Sequence, residues 1–118
     1  MVEAGSRKRN QPAPPSVVFE ALTRPDRAGV REWLYLLDDE VRPRVVRGDE
    51  PALVVWSSLW LKRPDAVIRF DLPPGGEGTD LRWTLLVDEP VPGDALLGHM
   101  RKRSNVLINA DLRYSFGQ

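Results

Sequence analysis

The sequence has no cysteine and a single histidine, His99. The first absence removes disulfides, thiol nucleophiles and zinc–thiolate clusters together. The second removes the common imidazole-rich transition-metal sites. An excess of one charge is missing as well. Seventeen basic and seventeen acidic residues cancel, so no overall field draws the chain to nucleic acid or to an anionic membrane. No apolar run approaches the ~20 residues that span a bilayer. The basic opening MVEAGSRKRNQPAPP has no apolar stretch behind it, unlike a secretory leader. The expectation is a cytoplasmic protein with no metal, no cofactor, no membrane insertion and no nucleic-acid partner.

What is present suits a folded domain. The chain's 118 residues, 42% of them apolar, are enough for one core. Residues 1–11 read as a polar tail or as an edge strand, and 12–118 as a single domain. Pro12, Pro14 and Pro15 punctuate the chain before SVVFEALT. That segment fits a short helix led by proline or, through Val17, Val18 and Phe19, a strand. Pro25 ends it either way. Val30, Trp33, Leu34 and Leu37 then fall at i, i+3, i+4 and i+7, which predicts a helix from Asp26 to Leu37. Asp38, Asp39 and Glu40 read as its end meeting solvent.

Beyond Pro43 the period changes to two. Arg44–Arg47 is a short strand and Gly48–Pro51 a turn. ALVVWSSLW (52–60) is apolar on both faces, as an interior strand would be, and KRPD turns the chain again. AVIRFDL (66–72) and DLRWTLLVD (80–88) alternate cleanly. Between them lies PPGGEGT, which could be a phosphate-cradling loop or a hairpin turn. A phosphate loop needs a helix after its glycines, but a strand follows here, and no Gly-Lys-Ser/Thr is present. Setting Leu72 opposite Leu81 also places Asp71 across from Arg82 and Phe70 across from Trp83, both favourable cross-strand pairs. The hairpin reading is the consistent one.

After Pro90 and Pro92, with Asp94 as expected N-cap, a long helix runs from Ala95 to Ser115. At 100° per residue Leu96, Met100, Leu107, Ala110 and Tyr114 form an apolar stripe. Arg103 sits inside that stripe, Asp111 and Ser104 flank one side, and His99 flanks the other.

The order of these pieces resembles the SRPBCC (START-like, birch-pollen-allergen-like) superfamily. The nearest branch is the bacterial proteins similar to activators of the heat-shock chaperone ATPase. The resemblance rests on PAPPSVVFEALTRPDRAGVREW, ALVVWSSLW, VIRFDLPPGGEGTDLRWTL and the terminal GHMRKRSNVLINADLRYSFGQ. It implies an α+β helix-grip fold, in which a curved antiparallel sheet wraps a long C-terminal helix and encloses a hydrophobic cavity. It also implies that SVVFEALT is helical, one of one or two short N-terminal helices. Members commonly carry two more strands before VVW than residues 34–53 can supply, so an abbreviated sheet of about four to six strands is expected. A homodimer would cover the gap.

The candidate site follows from that fold. Trp56, Trp60, Phe70, Trp83, Met100 and Leu107 would wall a pocket for a small hydrophobic molecule, or else simply fill the core, whose burial alone would justify them. Arg103 and Asp111 would orient a ligand's polar group, or contact one another bridged by Ser104 or a strand side chain, or reach solvent at the stripe's edge, since a buried charge is costly alone. No catalytic residue is evident. His99 as a general base would need an orienting partner, and the sequence shows none. The RKR triplets at 7–9 and 101–103 lack interleaved aromatics and read as solvated faces. The leading expectation is a binding protein for a small hydrophobic molecule. The alternatives are a polyketide cyclase or aromatase-like enzyme and a dimer-forming interaction module.

Overall fold

A computed structural model describes residues 1–27 and 30–117. In chain order its elements are β1 (Val2–Gln11), α1 (Pro15–Thr23), β2 (Val45–Asp49), β3 (Leu53–Trp56), β4 (Val67–Asp71), β5 (Pro74–Gly75) and β6 (Gly78–Val87). A C-terminal helix follows, α-helical over Asp94–Val106 (α2), π-helical over Leu107–Leu112, and α-helical again over Arg113–Ser115 (α3). The strands form one six-stranded antiparallel sheet in the order β1–β6–β4–β3–β2, with β5 paired to the start of β6. The sheet curves around the helix, which is the helix-grip layout. SVVFEALT is helical, and residues 2–11 form an edge strand whose register runs from Val2↔Val87 to Gln11↔Thr79.

The β4–β6 hairpin has the register the side-chain pattern requires. Phe70 opposes Trp83 and Asp71 opposes Arg82, and the same register continues through Pro74↔Thr79 and Gly75↔Gly78. Only Gly76 at the tip adopts a positive φ, +56°. Gly78 serves a different purpose. A Cβ there would lie 1.9 Å from the Gln11 carbonyl oxygen, so its missing side chain lets β1 approach. Thr79 completes the joint by donating its hydroxyl to the Ala13 carbonyl at 2.8 Å. PPGGEGT is therefore a turn that also clamps the end of the edge strand.

The core lies between the sheet's inner face and the helix. Ala66, Ile68, Phe70 and Leu72 from one strand and Leu81, Trp83, Leu85 and Val87 from the other are all buried. Val18, Ala21 and Leu22 of α1 close one end. Trp33 stacks on Trp56 with centroids 6.0 Å apart, and Trp56 meets Phe70 edge-on at 4.8 Å.

Four expectations fail. The helix expected over Asp26–Leu37 is absent from its described residues; Ala28 and Gly29 lie outside them. Trp33 and Leu34 are buried while Val30 and Leu37 are exposed, so the apparent stripe is two anchor residues in an irregular segment. The strand expected over 52–60 stops at Trp56. Beyond it the Ser58 hydroxyl binds the Trp60 amide at 2.9 Å and the Arg63 carbonyl at 2.7 Å, taking backbone groups that a ladder would use. The helical stripe also differs. Its buried residues are Leu97, Met100, Ser104, Leu107, Ile108, Asn109 and Leu112, whereas Ala110 and Tyr114 are exposed. The π segment adds a residue to one turn, so a 100° projection loses phase there. Gly93, not Asp94, occupies the N-cap position.

Gly78→Ala should lose about 3 kcal/mol in urea unfolding, a strain-sized effect. Gly76→Ala, which meets no neighbouring atom but must hold a positive φ, should lose only about 1 kcal/mol.

Candidate functional site

The helix face that looks towards the irregular segment is built around one ion pair. Glu40, in the run expected to meet solvent, has a fully buried side chain, and Arg103 is 11% exposed. Arg103 donates from Nε to one Glu40 oxygen and from Nη2 to the other, each at 2.8 Å. Nη2 also reaches the Tyr35 carbonyl at 2.8 Å, and the Leu37 amide donates to Glu40 at 2.8 Å. Burial pushes the Glu40 carboxyl up. The hydrogen bonds from Arg103 and Leu37, together with the Arg103 charge, outweigh it and hold the group below its ordinary 4.5. Arg103 therefore does not pair with Asp111, and Ser104 does not bridge the two, since its hydroxyl binds the Met100 carbonyl of its own helix.

His99 does have an orienting partner: its Nε2 lies 2.9 Å from Asp39 Oδ2, on a partly exposed face. The donor atoms of Asp39, Glu40 and His99 lie within 4.8 Å of one another. Glu40 already spends both oxygens on Arg103, so a cation there would have to displace the guanidinium.

The six apolar site candidates come together as one cluster. Phe70, Met100 and Leu107 are 0% exposed, Trp56 and Trp60 1%, and Trp83 2%. In this conformation they are the core's filling. Trp56 and Trp83 each line a cleft, one beside the end of α1 and one between β1 and α2.

Asp111 stands apart from that cluster, on a cleft of about 480 Å³ over the π segment. Tyr35, Ala110 and Tyr114 supply its apolar wall, and Arg9, Arg31, Glu32 and Arg113 its charged rim. The rim arginines are positioned by backbone. Arg9 donates to the Asn109 carbonyl at 3.1 Å, Arg113 to Asn10 at 3.1 Å and Arg31 to Tyr114 at 3.0 Å. Arg31 also lies 4.7 Å from the Tyr114 ring centroid. The π turn needs such support because its carbonyls lose their usual partners. Gln11 takes the Ile108 carbonyl at 3.3 Å, and Arg9 takes that of Asn109. Burial raises the Asp111 carboxyl above its ordinary range, and Arg103's charge only partly offsets this. No donor among the described residues bonds to it.

The sequence reading missed Glu40, Arg9, Gln11 and the π turn. A signal was present only for Gln11, a polar residue in phase with the inward residues of a possible edge strand.

Stability from Glu40 is present above about pH 4.5 and is lost as pH falls through its lowered folded value. Arg103→Met should lose about 3–5 kcal/mol at neutral pH by leaving that carboxylate buried and unpaired. The loss should shrink in mild acid, where Glu40 takes up a proton; urea unfolding at both pH values checks it.

No family model matches the sequence, and no curated protein matches it. Solved structures do share its architecture. CalU16 from Micromonospora echinospora superposes with a TM-score of 0.65 at 18% identity, over 92% of this chain and 76% of that one. The Aha1 dimer from Colwellia psychrerythraea gives 0.67 at 17% identity, over 93% and 92%. Ara h 8.0201 gives 0.57 at 12% identity, over 97% of each. The fold of this chain is thus the helix-grip fold, shared with these three structures.

Proposed function

We propose that the chain is a non-catalytic binding protein for a small, mostly hydrophobic molecule that carries a hydrogen-bond donor. The observation that carries this reading is Asp111, a partly buried carboxyl with no donor among the described residues, on a cleft walled by Tyr35, Ala110 and Tyr114. Desolvating a carboxylate and leaving it without a partner is unfavourable, so the arrangement favours a hydroxyl or amine arriving from outside. The cleft's volume lies within the usual range for small-molecule sites. The aromatic cluster then acts as the rigid frame that fixes helix and strand on either side. The enzymatic alternative has less support, because His99 is turned to Asp39 and is not among the residues lining this cleft.

A second reading concerns assembly. The edge strand β2 is exposed along its length, with Val45 and Val46 at 42% and 49%. This supports a homodimer, the state of the Aha1 structure from Colwellia psychrerythraea. Light scattering across a concentration series tests it, and a monomer throughout excludes it.

Titration with fatty acids, flavonoids and polyketide-like aromatics, followed by backbone NMR, should move resonances of Tyr35 and Asn109–Tyr114. Asp111→Asn should weaken a binding member of the panel by about tenfold or more, the size of one lost hydrogen bond to a charged group. A panel without a binder, or shifts confined elsewhere, would remove the reading.

The same substitution has an opposite effect on the free protein. A raised folded value means that Asp111's favourable contribution is present below its ordinary 3.8 and is lost as pH rises. Asp111→Asn should therefore unfold at a higher temperature than the parent at neutral pH, with the difference vanishing in strong acid.

A further inference from the structure

The two RKR triplets, separate in sequence, meet in space. Register places Gly5, Arg7, Arg9 and Gln11 of β1 opposite Leu85, Trp83, Leu81 and Thr79 of β6. Those four partners are buried on the core side. Directly opposed residues share a face of the sheet, so Arg7 and Arg9 lie on the face that looks towards the helix rather than on the outer one. Opposite them the helix presents Arg101 and Lys102. Gly5, Ser6, Arg7 and Trp83 from the sheet and Arg101, Lys102 and Asn105 from the helix line one cleft of about 340 Å³. No carboxylate is among its walls.

Six of the arginines outside this cleft are neutralised by a neighbour. Arg27, Arg42, Arg47, Arg63, Arg69 and Arg103 each pair with an acidic side chain. Among the described residues Arg7, Arg101 and Lys102 have no such partner. Glu3, the acid nearest in sequence, pairs in register with Leu86, whose neighbours Leu85 and Val87 face the core, so it belongs to the opposite face. Two backbone features set the cleft's shape. A register shift between Glu3 and Gly5 bends the edge strand. Gly5 then lets the Arg101 side chain cross it, since a Cβ at Gly5 would lie 2.9 Å from Arg101 Cγ. Arg101 Nε donates to the Ala4 carbonyl, which fixes the side chain while leaving its other N–H groups free to donate.

We propose that this cleft is an anion site for a phosphoryl group. Three like charges converge without a counter-charge, which favours a ligand bearing two or more negative charges. Guanidinium groups match the oxygens of a phosphoryl group in geometry, and Asn105 adds a neutral hydrogen-bonding group. The site is distinct from the cleft over the π segment and does not depend on the function proposed there. Trp83, at the cleft floor with its indole N–H directed to Asn105 at 3.5 Å, is a built-in reporter.

The test is a titration with inorganic phosphate and with pyrophosphate at constant ionic strength, following the Trp83 indole N–H by NMR. Saturable shifts are expected, with pyrophosphate the tighter ligand. Arg101→Gln and Lys102→Gln should each weaken binding by about tenfold. Gly5→Ala, which displaces Arg101, should weaken it while the fold is retained. Lys62→Gln, exposed on the β3–β4 connection, should leave it unchanged. A parallel arm measures flotation with phosphatidic-acid vesicles. Binding to the soluble anions supports a soluble ligand, and binding to vesicles alone supports a lipid headgroup. Shifts that sodium chloride reproduces, or that survive in the Arg101→Gln/Lys102→Gln double variant, overturn the proposal, as does binding in neither arm.

Discussion

The buried pair between Glu40 and Arg103 is the contact on which the rest of the architecture depends. Between α1 and β2 the described residues contain no helix or regular strand, yet this stretch supplies Trp33 and Leu34 to the core. An irregular segment can cover a core only if its backbone groups find partners. Glu40 accepts from the Leu37 amide, and Arg103 donates to the Tyr35 carbonyl. Immediately afterwards the chain bridges Trp60, and the Val41 amide reaches the Leu59 carbonyl at 2.7 Å. The Glu40 carboxylate thus joins the segment to the helix, and the backbone of Glu40 and Val41 joins it to the stretch after β3. Replacing a regular element with a tethered one leaves the segment close to the helix, and Tyr35 can wall the cleft only because the tether holds its carbonyl.

What the sequence made legible was set by how local the controlling interaction is. The β4–β6 hairpin was readable because its register follows from alternation alone, and Phe70↔Trp83 emerged directly. The long helix was readable as an element but not in its phase, because a π turn changes the periodicity without leaving an unusual residue behind. Its cause is remote: Gln11 and Arg9 on β1 receive the carbonyls that the turn releases. Glu40 was misread for a similar reason. An acid after two aspartates looks solvated unless the arginine that buries it, 63 positions later, is known. The six apolar site candidates sit in one buried cluster. Grouping could not separate cavity wall from core filling, because both want the same residue types. Asp111 was singled out for standing beside an apolar stripe, and it lines a cleft although the stripe itself was misplaced.

The distribution of arginines links fold and function. Most of the paired ones perform mechanical tasks. Arg63 binds Asp65 and also the Asp88 and Pro90 carbonyls, fastening the β3–β4 connection to the end of β6. Arg103 secures the irregular segment. Balanced pairs of this kind leave little field outside the protein, consistent with a net charge of zero. Three cations without an acidic partner, Arg7, Arg101 and Lys102, line the seam where the edge strand meets the helix. There one face of β1 that would be apolar in a central strand carries Arg7, Arg9 and Gln11. An edge strand can afford this because its inner face is covered by helix on one side only, and long basic side chains can reach solvent from it. The same substitution of polar for apolar residues protects the edge from pairing with another sheet. A seam that is basic for protection thus also offers an anionic ligand a cleft whose lining holds no carboxylate to displace.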